Sequence, residues 1–138
     1  MAISTALRAL LLLGLLLSSL PASPIKAQTS GRQTFRDFGY GDLTARTMFG
    51  SLDYFFPVPR AQVPQASSQL ELVVSHSPLL VSDRSTLTVV ANGQSVTSVL
   101  LTPENRSRAR IVVPLPTEGF SGNGYYVQIQ FALRLTRD

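Results

Sequence analysis

The sequence predicts an all-β fold, a β-sandwich of jelly-roll type. Three observations lead to this prediction. Apolar residues alternate with polar ones in several short segments, turn residues separate these segments about every ten positions, and the chain beyond its N-terminal region keeps no helical apolar repeat. A closed barrel of the same strands is the alternative. The length of 138 residues, with 44% hydrophobic and 14% charged residues, fits one globular domain.

The N-terminus predicts a secretory signal-peptide helix over residues 1–27. The segment MAISTALRALLLLGLLLSSLPASPIKAQ carries Arg8, then the apolar run Ala9–Leu17, then small residues and prolines. A membrane-spanning helix needs about 20 apolar residues, so an uncleaved anchor is the less favoured interpretation. We expect cleavage after Ala27, with Ala22 as the alternative site, and therefore an extracytoplasmic mature chain.

The mature chain is expected to start with a lead-in segment over residues 28–50, which includes one short strand near Thr34–Phe38. The sandwich domain follows over residues 51–138. Its first strand, Leu52–Val58, ends in a proline pair that cannot donate to a central ladder. Further strands are predicted at Leu70–Val74, Thr86–Ala91, Ser95–Leu101 and Tyr125–Leu135.

Two of these segments carry the strongest local signals. Asn92-Gly93 separates two strand patterns, and this dipeptide favours a two-residue hairpin because both of its positions accept positive φ. Between Tyr125 and Leu135, every second residue is apolar, which predicts a strand with one face in the core.

Candidate catalytic and metal-binding residues are few. The sequence has no cysteine and no tryptophan, so disulfides and thiolate metal sites are excluded. Its one histidine, His76, lies between Ser75 and Ser77, with Asp83 downstream. Neighbouring strand residues point to opposite faces, and no Gly-x-Ser-x-Gly elbow is present, so we interpret His76 as a corner residue and expect neither an enzyme nor a bound cofactor.

Three polar or aromatic features suggest binding. Tyr54 and Phe56 share one strand face and are a candidate glycan contact, although packing in the core is the favoured interpretation. Arg106, Arg108 and Arg110 are expected on one solvated strand face, with contact to an anionic partner as the alternative. The sequence Asn105–Ser107 matches an N-glycosylation acceptor, which matters only in a host with the transferase.

The formal net charge of +4 does not indicate a nucleic-acid-binding protein. Eleven of the twelve cationic residues are arginines, and they are scattered along the chain rather than gathered into a basic stripe. We therefore expect no nucleic-acid partner.

The segments YFFPVPRAQ and LELVVSHSPLLVSDRSTLTVVANGQSVTSVLLTPENRSRARIVVPLP resemble the N-terminal carbohydrate-binding-like domain of the bacterial cellulose synthase regulatory-subunit family. The resemblance covers roughly residues 34–138. It rests on one ordered set of loop and hairpin residues: Ser75, Ser77, Pro78, Leu80, Ser85, Leu87, Val89, Asn92 and Gly93.

The resemblance implies a non-catalytic periplasmic subunit at the inner membrane. Such a subunit supports the catalytic glycosyltransferase, which uses UDP-glucose, and guides the emerging β-1,4-glucan. The synthase responds to cyclic di-GMP, and members of the family are often described as binding it, yet this sequence shows no nucleotide-binding motif. The family's later domains and C-terminal membrane anchor do not occur before Asp138. A free-standing secreted carbohydrate-binding module is the alternative function.

Overall fold

The structure is a computed structural model that describes residues 31–59, 62, 64–118, 120 and 122–136. The signal peptide expected over residues 1–27 lies outside this range. The strands belong to one compact unit that begins at Phe35. Within the described ranges, no helix is both long and apolar enough to cross a lipid bilayer.

In the described residues, six strands form two antiparallel sheets. The strands are β1 (Phe49–Pro57), β2 (Gln69–Val74), β3 (Thr86–Ala91), β4 (Gln94–Leu100), β5 (Ala109–Pro114) and β6 (Gly124–Ala132). One sheet has four strands in the order β1-β6-β3-β4, and the other consists of β2 and β5. Short 3-10 helices occur at Phe35–Phe38 and Pro103–Asn105.

The connections alternate between the two sheets in the manner of a jelly roll. The chain passes from β1 to β2, from β2 to β3, from β4 to β5 and from β5 to β6 by crossing from one sheet to the other, and only the β3–β4 hairpin stays within a sheet. The predicted all-β sandwich, similar to a carbohydrate-binding module, is therefore confirmed. Two separate sheets are observed rather than one closed barrel.

The core lies between the sheets because each strand contributes alternate residues to it. Along β6, Tyr125, Val127 and Ile129 are buried, and the residues between them face outward. The two-stranded sheet contributes Leu72, Ile111 and Val113, and the other buried hydrophobic residues of this cluster are Tyr54, Leu87, Val89 and Leu101.

The predicted hairpin is confirmed at Asn92-Gly93. Asn92 has φ 48° and Gly93 has φ 82°, the two positive values that a type I′ turn requires. The Asn92 backbone N–H donates to Tyr126 O at 2.8 Å, and its side-chain Oδ1 accepts the Tyr126 N–H at 2.8 Å. The asparagine thus extends the β3–β6 pairing beyond the last strand residue and ties the turn to the central strand.

The expected strand near Thr34–Phe38 is wrong, because this segment forms a 3-10 helix. The backbone N–H of Tyr40 donates to Phe35 O at 2.9 Å, and Gly39 adopts φ 83° to close the turn. This compact turn brings the rings of Phe35 and Tyr40 against the core, which an extended segment with alternating side chains does not achieve.

The last strand is shorter than expected, since β6 ends at Ala132 rather than Leu135. The Ser85 hydroxyl, rather than a neighbouring strand, forms hydrogen bonds with the backbone N–H and C=O of Arg134. Leu135 pairs with Leu80 only in an isolated bridge. The apolar stripe stays half-buried or buried through Leu133, but Leu135 is 46% exposed. The prediction of an inward face is thus correct as far as Leu133 and wrong for Leu135.

Candidate functional site

His76 connects two loops at one end of the sandwich. Its backbone N–H donates to Arg106 O at 2.9 Å, and its ring Nε2 lies 3.1 Å from Thr102 O and 3.0 Å from Asn105 Oδ1. Both of these oxygens are acceptors, so protonated Nε2 is the donor that they require. The ring Nδ1 contacts the carbonyl oxygen of Ser77 at 3.2 Å. The histidine therefore occupies the corner position that the sequence indicated.

The two serines beside His76 bind backbone groups. Ser75 Oγ accepts the N–H of Arg108 at 2.9 Å, and Ser77 Oγ accepts the N–H of Leu79 at 3.1 Å. Arg108 has φ 49°, an unfavourable value for a residue with a side chain, and the Ser75 hydrogen bond helps to hold it there. The geometry assigns these hydroxyls to loop structure. Across the part of the chain that the structure describes, no cluster of titratable residues could hold a metal ion.

The acceptor sequence at Asn105 is also engaged in this loop. Asn105 Nδ2 donates to Leu100 O at 2.7 Å, while its Oδ1 accepts the N–H of Thr102 at 2.8 Å. A hydrogen bond from the Thr102 hydroxyl lowers the pKa of the neighbouring Glu104 carboxyl. Glycan attachment at Nδ2 would disturb the bond to Leu100, so the side chain serves the loop between β4 and β5.

The arginine pattern does not form the expected strand face. Only Arg110 lies on β5, whereas Arg106 and Arg108 belong to the preceding turn. Arg110 Nη2 contacts Glu71 Oε2 at 2.6 Å across the two-stranded sheet. The expectation of three cations on one strand face is therefore wrong, because the left-handed turn at Arg108 interrupts the alternation.

Tyr54 and Phe56, the candidate glycan contacts, point toward the interior. Tyr54 is buried, and its ring stacks on that of Phe56 with centroids 6.2 Å apart. Phe35, Phe38 and Tyr40 pack edge-on against this pair, at centroid distances between 5.0 and 6.0 Å. Burial raises the pKa of Tyr54. The favoured core interpretation describes Tyr54 well, and a glycan contact by either residue stays a prediction.

The residue between them, Phe55, has the opposite orientation and is 44% exposed. Its backbone N–H donates to the Tyr40 hydroxyl at 2.8 Å, and that hydroxyl donates to Phe55 O at 3.2 Å. Because β1 is an edge strand, these bonds occupy backbone groups that would otherwise be open to another strand. They also fix the position from which the Phe55 ring projects.

Phe55 belongs to the outer face of the four-stranded sheet, defined here by three rows of paired residues. In the first row Phe55 faces Tyr126, which is 49% exposed. The second row is Asp53, Gln128, Val90 and Ser95, and the third is Ser51, Gln130, Thr88 and Ser98. Directly paired residues share a face, so the pairing alone brings these side chains together.

A hydrogen-bond network links side chains of β1 and β6 on this face, and a separate pair joins β3 and β4. Tyr126 Oη and Gln128 Nε2 both donate to Asp53 Oδ1, at 2.9 and 2.8 Å, and Gln130 Nε2 donates to Gln128 Oε1 at 2.6 Å. The Thr88 and Ser98 hydroxyls lie 3.0 Å apart in the third row. The hydrogen bond to Asp53 raises the pKa of the Tyr126 phenol. The network holds amide and hydroxyl groups in defined positions at an exposed surface.

A shallow depression of about 410 Å³ adjoins the network. Its lining residues are Gly50, Ser51, Thr86, Thr88, Gln128, Gln130, Phe131 and Ala132. Ser51 and Ala132 contribute small side chains to this depression, and Phe55 and Tyr126 lie toward the other end of β1 and β6. Sequence reasoning missed this face because it considered β1 alone. The alternation of β6 contained the signal, since Tyr126, Gln128 and Gln130 are its outward residues.

The fold and this surface define an all-β sandwich of the carbohydrate-binding-module type. Residues 28–138 match the family described as "Cellulose synthase BcsB, first CBM domain". The chain belongs to this family, as its resemblance predicted. No curated protein and no solved structure gave a significant match.

Family membership establishes the coarse function of the chain. At the family level, the subunit is an accessory component of cellulose synthase and is regulatory rather than catalytic. At the family level, the subunit is extracytoplasmic, associated with a membrane, and associated with the catalytic subunit and the glucan.

Proposed function

We propose that this chain is a non-catalytic periplasmic domain of the cellulose synthase regulatory subunit, which supports the membrane glycosyltransferase and guides the emerging β-1,4-glucan. The observation that carries the proposal is the family match over residues 28–138, which includes all six strands. Export through the signal peptide predicted over residues 1–27 would deliver the domain to the inner membrane, and attachment there would use the family's anchor.

The geometry supports a guiding role. A glucan that leaves a synthase must be held weakly at many points, because tight binding at one point would stop its movement. The outer face of the four-stranded sheet offers dispersed amide and hydroxyl groups, with one carboxylate at Asp53, on strands fixed by backbone pairing. Uncharged hydrogen bonds at a solvated surface are individually weak, with a net contribution of about 0.5–1.5 kcal/mol each.

The direct test is synthesis by the complete synthase. Membranes that contain the catalytic subunit and the full-length regulatory subunit are supplied with labelled UDP-glucose and cyclic di-GMP, and cellulase-sensitive polymer is measured. We expect removal of residues 49–136 from the full-length subunit to reduce the polymer at equal levels of both subunits. The Arg110→Gln variant, altered on the two-stranded sheet, is the matched control.

Unchanged synthesis after this deletion would contradict the accessory role. If the isolated chain then bound glucan and synthesis stayed independent of it, the alternative of a free-standing carbohydrate-binding module would hold instead. We assign no cyclic di-GMP site to the described residues and propose that the nucleotide acts on the synthase elsewhere. Equilibrium dialysis of labelled cyclic di-GMP against the chain should show no retention.

A further inference from the structure

We infer that the outer face of the four-stranded sheet is the surface that contacts the glucan, with Asp53, Gln128, Gln130 and Tyr126 as its polar contacts and Phe55 beside Tyr126 as its stacking platform. This inference rests on the proposed function and specifies where the ligand lies. It places the aromatic contact at Phe55, the neighbour of the two inward residues that the sequence suggested.

The charge of this face selects a neutral ligand. Asp53 is the only ionisable carboxylate in the three rows, and those rows contain no arginine, lysine or histidine. The next row of the same face is Phe49, Ala132, Thr86 and Leu100, and the Arg134 guanidinium carbon lies over the Phe49 ring, 5.1 Å from its centroid. Within the three rows, a phosphate or another anion would therefore meet Asp53 without a compensating cation. A chain of hydroxyl groups matches a surface of amides, hydroxyls and one acceptor carboxylate.

The network leaves hydrogen-bonding capacity available to such a chain. Each glutamine amide has two N–H donors and an oxygen with two lone pairs, and the observed bonds use one donor from Gln128 and one from Gln130. The Asp53 carboxylate accepts both of its side-chain bonds through Oδ1. The groups are thus positioned before a ligand arrives, which reduces the ordering that binding requires.

The aromatic pair supplies the apolar part of the contact. Phe55 and Tyr126 are paired in the register of β1 and β6, and each side chain is about half exposed. The axial C–H groups of a pyranose ring form an apolar face that can cover an aromatic ring. The Tyr126 hydroxyl is already bonded to Asp53, so its ring orientation is constrained.

The dimensions favour an oligosaccharide over a single sugar. From Tyr126 to Ala132, β6 extends about 20 Å at roughly 3.3 Å per residue. The depression of about 410 Å³ lies at the far end of this line, within the range of about 300–1,000 Å³ typical of ligand sites. A glucan along β6 would stack near Tyr126, pass the two glutamines and reach the depression. Affinity should therefore rise with chain length.

The test is titration of the isotopically labelled chain, as purified from the host, with cellobiose, cellotetraose and cellohexaose, followed by NMR. We expect cellohexaose to shift the amide and side-chain signals of residues 126–132 together with those of Asp53 and Phe55. We also expect the dissociation constant to fall at least tenfold from cellobiose to cellohexaose. Maltohexaose, whose α-linkages curve the chain, should bind at least tenfold more weakly.

Two substitutions on this face and one control complete the experiment. Gln128→Ala and Asp53→Asn should each weaken cellohexaose binding at least fivefold, with circular dichroism and melting temperature recording that the fold is retained. Gln69→Ala, at an exposed position of β2 in the other sheet, should leave the affinity unchanged.

The inference is overturned if cellohexaose shifts signals on another surface, if it causes no shifts at millimolar concentration, or if both substitutions leave its affinity unchanged. These failures are separate from failure of the proposed function. A domain that the synthase needs, but that does not bind glucan on this face, would remove only the surface assignment. A domain that binds glucan here without affecting synthesis would remove only the accessory role.

Discussion

Ser85 lies fully buried just before β3, and its hydroxyl bonds the backbone of Arg134 where no strand pairs with it. Its Oγ accepts the N–H of Arg134 at 3.0 Å and donates to Arg134 O at 3.2 Å. Arg134 O also receives the Val81 N–H at 2.7 Å, so it keeps a partner without the serine. The Ser85→Ala substitution would therefore leave one part-buried donor, the Arg134 N–H, without an acceptor.

The size of the effect follows from that difference. An unsatisfied buried donor destabilises a protein by about 1–3 kcal/mol, so we expect the free energy of unfolding to fall by about 2 kcal/mol. For a domain of this size, each kcal/mol corresponds to roughly 4–8 °C, which predicts a fall in melting temperature of roughly 8–16 °C. The exposed Ser95 on β4 provides the matched control, since Ser95→Ala removes a similar hydroxyl at the surface.

Thermal unfolding followed by circular dichroism measures the shift, and amide hydrogen exchange at Arg134 reports the local cause. Exchange at this amide should accelerate in Ser85→Ala by more than global destabilisation explains. If Ser85→Ala melts within about 1 °C of Ser95→Ala, the hydroxyl does not serve as the partner of Arg134, and the reasoning fails.

Three further substitutions test other parts of the structure. Gly93→Val should destabilise the domain by about 1–3 kcal/mol through backbone strain at its φ of 82°, because no atom lies within 4 Å of the added Cβ and a steric clash is therefore not the cause. A Gly93→Asn control should cost less. Equal melting temperatures for Gly93→Val and the parent chain would contradict this prediction. His76→Ala should keep the fold, and its free energy of unfolding should fall by about 1 kcal/mol because the hydrogen bond to Thr102 is lost. Urea unfolding measures this change. A variant that does not fold would show that His76 contributes more than this one bond. Asp53→Asn should lower the pKa of Tyr126, because the carboxylate whose hydrogen bond raises it is gone. Phenolate absorbance against pH measures this pKa, and Tyr126→Phe assigns the signal. An unchanged Tyr126 pKa in Asp53→Asn would refute the prediction.

Part of the candidate site was accessible from the sequence. The alternation along β6 identifies Tyr126, Gln128 and Gln130 as the residues opposite to the buried stripe, because the strand period is two. The partner residues were not accessible. Asp53 joins the network only because β1 pairs with β6 in one particular register, and a shift of one residue would turn it inward.

The aromatic run at Tyr54, Phe55 and Phe56 shows the same limit. The sequence indicates that the outer two share one face and that the middle one has the other, but both faces carry aromatic residues. Which face turns inward depends on the aromatic residues of the 3-10 segment that pack against Tyr54 and Phe56. That packing comes from a different part of the chain, so local alternation does not decide it.

Local patterns were sufficient to predict β1 to β4, β6, the Asn92-Gly93 turn and the inward stripe of β6, because these depend on the side-chain period and on the φ preferences of adjacent residues. The same patterns predicted a strand at Thr34–Phe38 where a 3-10 helix forms, and they did not predict β5. The order of the strands, the end of β6 at Ala132 and the polar network of the outer face follow only from the folded sandwich. These depend on contacts such as that between Ser85 and Arg134, which lie 49 residues apart. Such contacts form only when the whole sandwich closes, so no local pattern specifies them.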